Sequence, residues 1–198
     1  MRIYKENLEN ILLKIIDRSI YYIPNCGNAG DAAIALGTYH FFQKVKIKYK
    51  TIPNTQNKEL HDEIIVLGGG GNLVEGKYRN THDTLTHYIK NNICIILPHT
   101  IVGYKDILPH TYSNLYIFCR DQISFNNCIA AGGNPEQIFI SDDMAFSIDD
   151  KLLDYYRAIP GKGHAYCLRT DKESLGVLKF SPDNRDISRS QSPGKLPS

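Results

Sequence analysis

The chain has 198 residues, with 23 Lys and Arg against 21 Asp and Glu, a formal net charge of +2. Apolar residues make up 42% and charged residues 22%, ordinary globular usage that excludes disordered, collagen-like and coiled-coil chains. The balanced charge excludes a dedicated nucleic-acid-binding domain, and no run approaches the roughly 20 consecutive apolar residues of a membrane span. At roughly 150 residues per domain, the length gives one domain and a remainder.

The first 19 residues interleave Glu6, Glu9, Lys14 and Asp17 with apolar side chains, so they lack the uninterrupted hydrophobic stretch of an export signal. Leu8, Ile11, Leu12, Ile15 and Ile16 fall on one face of a helix. Residues 19–23 form a β-type run that stops at Pro24, and the Asn- and Gly-rich residues 25–30 form a loop. Asp31 then opens an alanine-rich helix through Ile34, Leu36 and Phe41. Val45, Ile47 and Tyr49 alternate with lysines, the pattern of a strand with one wet face at a sheet edge.

A repeated unit follows. Residues 63–67 read as a buried strand ending at Gly68, Gly69, Gly70 and Gly71, and residues 84–90 as a helix. A second buried strand over 93–97 ends at Pro98. A third over 115–119 runs into Arg120 and Asp121, then a helix to Ala131 that Gly132 and Gly133 stop. A fourth over 137–140 ends in Ser141, Asp142 and Asp143. Short apolar strands alternating with helices predict an α/β fold, a Rossmann-like parallel sheet with helices on both faces. The predicted division is a Rossmann-like domain over 1–160 and the start of a second domain over 161–180, with a strand at 164–168. A Ser-, Pro- and Arg-rich tail over 181–198 should be disordered. The five cysteines are odd in number and form no CxxC pair. Cys94, Cys119 and Cys167 lie in apolar runs, which points to buried free thiols and a reducing, cytoplasmic compartment.

Ligands of open parallel sheets bind beyond the carboxyl ends of the strands, and every unusual cluster here falls at such an end. Residues 68–71, followed by Asn72, allow close backbone approach and can present N–H groups to an anion. They are neither a phosphate-binding Gly-Lys-Ser/Thr loop nor a dinucleotide fingerprint, since Leu73 stands where the last glycine would be. Asn28, Gly30 and Asp31 sit at a helix N-terminus, where Asp31 either caps the helix or aims a carboxylate at a sugar hydroxyl. Arg120 either clamps a carboxylate or phosphate bidentately or pairs structurally with an aspartate. His99, after Pro98, is placed for a ligand contact or proton transfer. His82 and His87 lack the spacing of a metal-binding pair, and no metal site is assigned. The lysines at 44, 46, 48 and 50 read as a solvated face rather than a nucleic-acid stripe.

In order and spacing, these residues resemble polysaccharide pyruvyl transferases, most closely the exopolysaccharide branch. The resemblance rests on Asn28, Gly30 and Asp31 after the first strand, and on residues 63–73. It continues through Leu97, Pro98, His99, Thr100 and Ile101, then Cys119, Arg120 and Asp121 with Ser124, and residues 141–146. Residues 168–171 resemble the first strand of the family's second half. The resemblance implies a fold similar to a GT-B glycosyltransferase, with two Rossmann-like domains facing across a cleft. It implies transfer of the enolpyruvyl unit of phosphoenolpyruvate to two hydroxyls of one sugar, with no further cofactor. Arg120 would hold the donor's anionic groups and residues 68–71 would line the cleft floor. Asn28 and Asp31 would contact or deprotonate the acceptor, and His99 would orient a sugar hydroxyl. Asn72, Thr100, Asp121 and Ser124 would line the substrate site. The acceptor would be a saccharide or lipid-linked oligosaccharide, met by peripheral contact with the membrane.

Family members continue well past this length, and their second domain brings further basic residues to the donor site. The chain is therefore expected to be a fragment, a truncated reading frame or a shortened homologue, and 198 residues alone are not expected to turn over. Two rival readings share the residues. One is the acceptor half of a nucleotide-sugar glycosyltransferase; the other is a truncated, non-catalytic glycan-binding domain.

Overall fold

Alternation of apolar side chains along short strands divides this protein into two cores, one on each face of a parallel sheet. The computed structural model describes residues 8–53, 58–107, 112–149, 151 and 154. In chain order these form α1 (Leu8–Ile15), β1 (Ile20–Ile23), α2 (Ala29–Lys44), β2 (Tyr49–Thr51), β3 (Ile64–Leu67), β4 (Gly70–Val74), α3 (Asn80–Tyr88), β5 (Ile93–Val102), β6 (Leu115–Cys119), α4 (Gln122–Ala130) and β7 (Ile138–Ile140). A single 3-10 turn, Met144–Ser147, follows β7. The sheet order is β2-β1-β3-β5-β6-β7 with β4 paired to β5, and every pairing is parallel.

All four residues of β3 are buried, as a strand covered on both faces requires. Ile65 and Leu67 pack with Cys94, Ile96, Ile117, Leu85, Ile89 and Cys128 beneath α3 and α4. Ile64 and Val66 point the other way, with Ile95, Leu97 and Phe118, against Leu12, Ile34 and Phe42 of α1 and α2. The predicted α/β class and parallel sheet are therefore observed.

Two strands run on where the sequence predicts an end. β5 passes through Pro98, and the glycine run leads into β4. The pairing explains both. β3 pairs with β5 only as far as Leu67 and Ile96, and β4 takes over at Gly70 and His99. Pairing with β6 shifts register over the same interval, between Ile96 and His99. Pro98, which has no N–H to give, thus sits in the break where no ladder bond is required. A side chain at Gly69 would lie 2.6 Å from the Pro98 carbonyl oxygen, so that close approach excludes any larger residue.

α3 begins at Asn80, a turn before the predicted 84, and its first turn reaches the site described below. The predicted strand over 45–49 is reduced to β2, because Val45 caps α2 and Lys46 takes a positive φ of 58°. β2 is an exposed edge strand, as the alternating lysines suggest. Cys94, Cys119 and Cys128 are buried free thiols and Cys26 is exposed. The domain limit at 160, the strand at 164–168, Cys167, residues 168–171 and the tail over 181–198 lie outside the described residues. Among the described residues no helix is long and apolar enough to cross a membrane.

The chain leaves β1 toward β2 on one side and returns to β3 on the other. The carboxyl ends of β1 and β3 therefore flank a topological switch point, where open α/β sheets form their crevice.

Candidate active site

Asn28 caps α2 through a reciprocal pair of bonds. Its side chain accepts from Gly30 N at 2.8 Å, and Asp31 Oδ2 accepts from Asn28 N at 3.0 Å. This capping box accounts for one Asp31 oxygen. The other lies 3.4 Å from where a Cβ on Gly70 would stand. Gly70 has φ +145°, a conformation closed to side chains, and it lets Asp31, Asn25 and His99 close around one backbone position. The next residue, Gly71, meets the guanidinium instead: a Cβ there would lie 3.2 Å from Arg120 Nη2. Two consecutive glycines thus stand between the carboxylate of Asp31 and the positive charge of Arg120.

Gly68, Gly69 and Gly70 are buried, with Gly68 N donating to Ile23 O at 2.8 Å. Of the four glycines, Gly71 alone is partly exposed, so packing accounts for the first three and the accessible surface begins at the fourth. Asn25 fastens this run, its Nδ2 donating to the carbonyls of Gly68 (3.2 Å) and Gly69 (2.6 Å). The buried hydroxyl of Thr81, in the first turn of α3, lies 3.2 Å from Asn25 Oδ1 and 2.7 Å from Asn72 Oδ1. Asn25 and Thr81 escape the sequence reading. Asn25 had one signal, its place at a strand end; Thr81 had none, because only the tertiary approach of α3 brings it in.

His99 is fully buried beneath this layer. Asn72 N donates to its Nε2 at 3.3 Å, and Asn72 Oδ1 lies 2.7 Å from the same nitrogen. Nδ1 is buried without a hydrogen-bond partner among the described residues. Burial, and then the charge of Arg120, push the ring's pKa down to about 3 against a weaker opposing pull from the Gly68 backbone. The imidazole is neutral at pH 7 and is placed to hold Asn72 rather than to meet solvent. This linkage has a sign. The unfolded ring, at 6.5, takes a proton that the folded ring refuses until about 3, so stability is complete above 6.5 and is lost as pH falls between those values. Urea unfolding from pH 7 to 4 should show an acid slope of up to about 1.4 kcal/mol per pH unit from this one proton, which His99→Gln removes. Equal slopes in the two proteins would rule out a neutral, buried His99 as the cause.

Arg120 follows β6. Its Nε donates to Thr100 Oγ1 at 2.6 Å and its Nη1 to Asp143 Oδ2 at 3.1 Å. The structural partner of Arg120 is thus Asp143 and not its neighbour. Asp121 instead caps α4, accepting from Ser124 N at 2.7 Å and Ser124 Oγ at 3.1 Å, and Ser124 Oγ accepts from Ile101 N at 2.9 Å. Asp121 and the buried Ser124 therefore set the β5–α4 contact, and Thr100 joins them to Arg120 by donating to Asp121 Oδ2 at 3.4 Å. Of the predicted residues, Asn28, Gly30, Asp31, Gly68, Gly69, Gly70, Gly71, Asn72, His99, Thr100 and Arg120 converge on this end of the sheet. Asp143 joins them from a strand end that the sequence marks without singling out the residue.

The sequence profile described as polysaccharide pyruvyl transferase matches residues 28–191. Among solved structures, the crystal structure of an uncharacterized protein from Klebsiella pneumoniae subsp. pneumoniae NTUH-K2044 is similar, with 34% identity and a TM-score of 0.75. The alignment covers 91% of this chain and 66% of the Klebsiella chain, so this chain spans about two-thirds of that relative's length. No curated protein matches. The family match begins at the residue that caps α2 and contains every described strand end from β3 to β7, and on it the chain belongs to the polysaccharide pyruvyl transferase family.

Proposed function

We propose that this chain serves the transfer of the pyruvyl unit of phosphoenolpyruvate to a sugar as a cyclic ketal, in building an exopolysaccharide or another cell-surface glycan. The supporting observation is the opposition of a carboxylate and a guanidinium across two consecutive glycines at the sheet's switch point. Protonation of the donor's methylene carbon makes the adjacent carbon electrophilic. One sugar hydroxyl adds there, the carbon–oxygen bond to phosphate breaks, and a second hydroxyl closes the ketal. Of the two hydroxyl protons, one balances the methyl group formed and the other leaves with phosphate. Arg120 meets the donor's carboxylate or phosphate, and Asp31 takes a hydroxyl proton from the acceptor. Asn28 and Asn72 orient the acceptor, and buried His99 acts through Asn72. A lipid-linked acceptor would be reached by peripheral contact with the cytoplasmic face of the membrane.

The experiment begins with the intact mass of the protein from its source cells. That native form is then incubated with phosphoenolpyruvate and glycans of the same cells. The expected result is donor-dependent phosphate release, with an acceptor heavier by one pyruvate less one water. Saturable binding of a nucleoside diphosphate, with no response to phosphoenolpyruvate, would replace this reading by that of a nucleotide-sugar glycosyltransferase.

A further inference from the structure

We infer that Asp143, together with Thr100, is a positioning residue that holds the Arg120 guanidinium with Nη2 turned to the rim of Gly71, as the nitrogen offered to an anionic oxygen. The identity of that anion rests on the proposed function; the orientation rests on the geometry alone. Three edges of one planar group have three different fates. Nε is taken by Thr100 Oγ1 at 2.6 Å and Nη1 by Asp143 Oδ2 at 3.1 Å. Nη2 has no hydrogen-bond partner among the described residues and lies 3.2 Å from the position of a Cβ on Gly71. Because a guanidinium is rigid and planar, fixing two of its nitrogens fixes the third.

Asp143 is itself held. Its Oδ1 accepts from Ala145 N at 2.9 Å, in the 3-10 turn it caps. That turn is seated on α2, where the Met144 carbonyl oxygen would lie only 1.9 Å from a Cβ on Gly37. The Asp143 side chain is 17% exposed against 34% for Arg120, so the anchor is the more enclosed partner. Its backbone bond, enclosure and support by a helix mark Asp143 as the fixed end of the pair. An anion therefore meets Arg120 at Nη2, alone or together with the second N–H of Nη1, while a side-on fork through Nε would first have to break the bond to Thr100. Immobilising a long side chain costs about 0.5–1.5 kcal/mol at the moment of binding. A guanidinium already held spares the ligand that cost, equivalent to roughly 2–10-fold in affinity.

The test reads orientation and binding separately, on the full chain. Side-chain nitrogen relaxation, with the Arg120 Nε signal assigned through Arg120→Lys, should give an order parameter near the rigid value of about 0.85, falling below about 0.6 in Asp143→Ala. Asp143→Asn keeps one oxygen where the aspartate uses two, so it cannot serve Nη1 and Ala145 N together and should also loosen Arg120. Titration with phosphoenolpyruvate, and in parallel with inorganic phosphate, should show dissociation constants about 2–10-fold higher in Asp143→Ala and in Asp143→Asn. Thr100→Val, which removes the Nε partner, gives the same loosening by a second route should Asp143→Ala fail to fold. Unchanged Arg120 order in the variants overturns the inference. So does tighter anion binding by both Asp143 variants, because Asp143 would then mask Arg120 rather than aim it. Loosening of Arg120 in a protein that binds phosphate but not phosphoenolpyruvate supports the positioning and overturns the donor assignment alone.

Discussion

Replacing Arg120 with alanine should lower kcat/KM for phosphoenolpyruvate by about 10²–10³-fold in the native protein, the usual loss when one positioned donor to transition-state charge is removed. The effect follows from the place of the side chain. Its guanidinium is bonded by Thr100 and Asp143 and lies beside Gly71, the partly exposed end of the glycine run. Charge grows on the phosphate as its bond to carbon breaks, so a contact there strengthens along the reaction. Arg120→Lys should recover little, since an ammonium cannot bond Thr100, Asp143 and an anion in one plane. Stability should change little by comparison. The side chain is about a third exposed, and ion pairs so open to solvent are screened to within about 1 kcal/mol. Steady-state kinetics with varied phosphoenolpyruvate, beside a thermal melt, reads both quantities. Near-normal donor kinetics would remove Arg120 from the site, while a collapsed melting temperature would make its role structural.

The second large effect falls far from any reacting atom. Gly37, in the middle of α2, should not tolerate alanine. The added carbon would stand 1.9 Å from the Met144 carbonyl oxygen and 2.7 Å from its carbonyl carbon. These are backbone atoms, so no rotamer change relieves the clash and the 3-10 turn must lift from α2. On its own, alanine would favour the helix by about 1 kcal/mol. Overpacking should reverse that to a net loss of about 2–3 kcal/mol. For a chain of this size the melting temperature should fall by roughly 4–12 °C. Because the lifted turn carries Asp143 at its start, Arg120 should loosen as well, which joins this helix contact to donor binding. A Gly37→Ala protein that melts at the wild-type temperature would show that the turn yields freely, and would weaken the case for Asp143 as a fixed anchor.

What could be read along the chain was whatever local chemistry expresses. Runs such as residues 64–67 can only be strands covered on both faces, and the capping pair of Asn28 and Asp31 writes a helix start into four residues. The order of strand-end clusters carried the family. Strand continuation was not legible, because a proline and four glycines normally end a strand. Here the break between β3 and β4 falls opposite Pro98, and that coincidence exists only once the strands are paired.

The site divides along the same line. The sequence by itself determined the α/β class, the set of strand ends where chemistry gathers, and the residue types on offer: Asp31, His99, Arg120 and the glycines. Only the tertiary structure decided what those groups meet. It buried His99 behind Asn72 and brought Thr81 in from a helix 56 residues after Asn25. It turned Asp121 to capping and gave Arg120 the more distant Asp143. The physical reason is range. Hydrophobic periodicity and capping act within a few residues, where order in the chain still means nearness in space. Hydrogen bonds and burial at a sheet's carboxyl edge join loops that only strand pairing brings together.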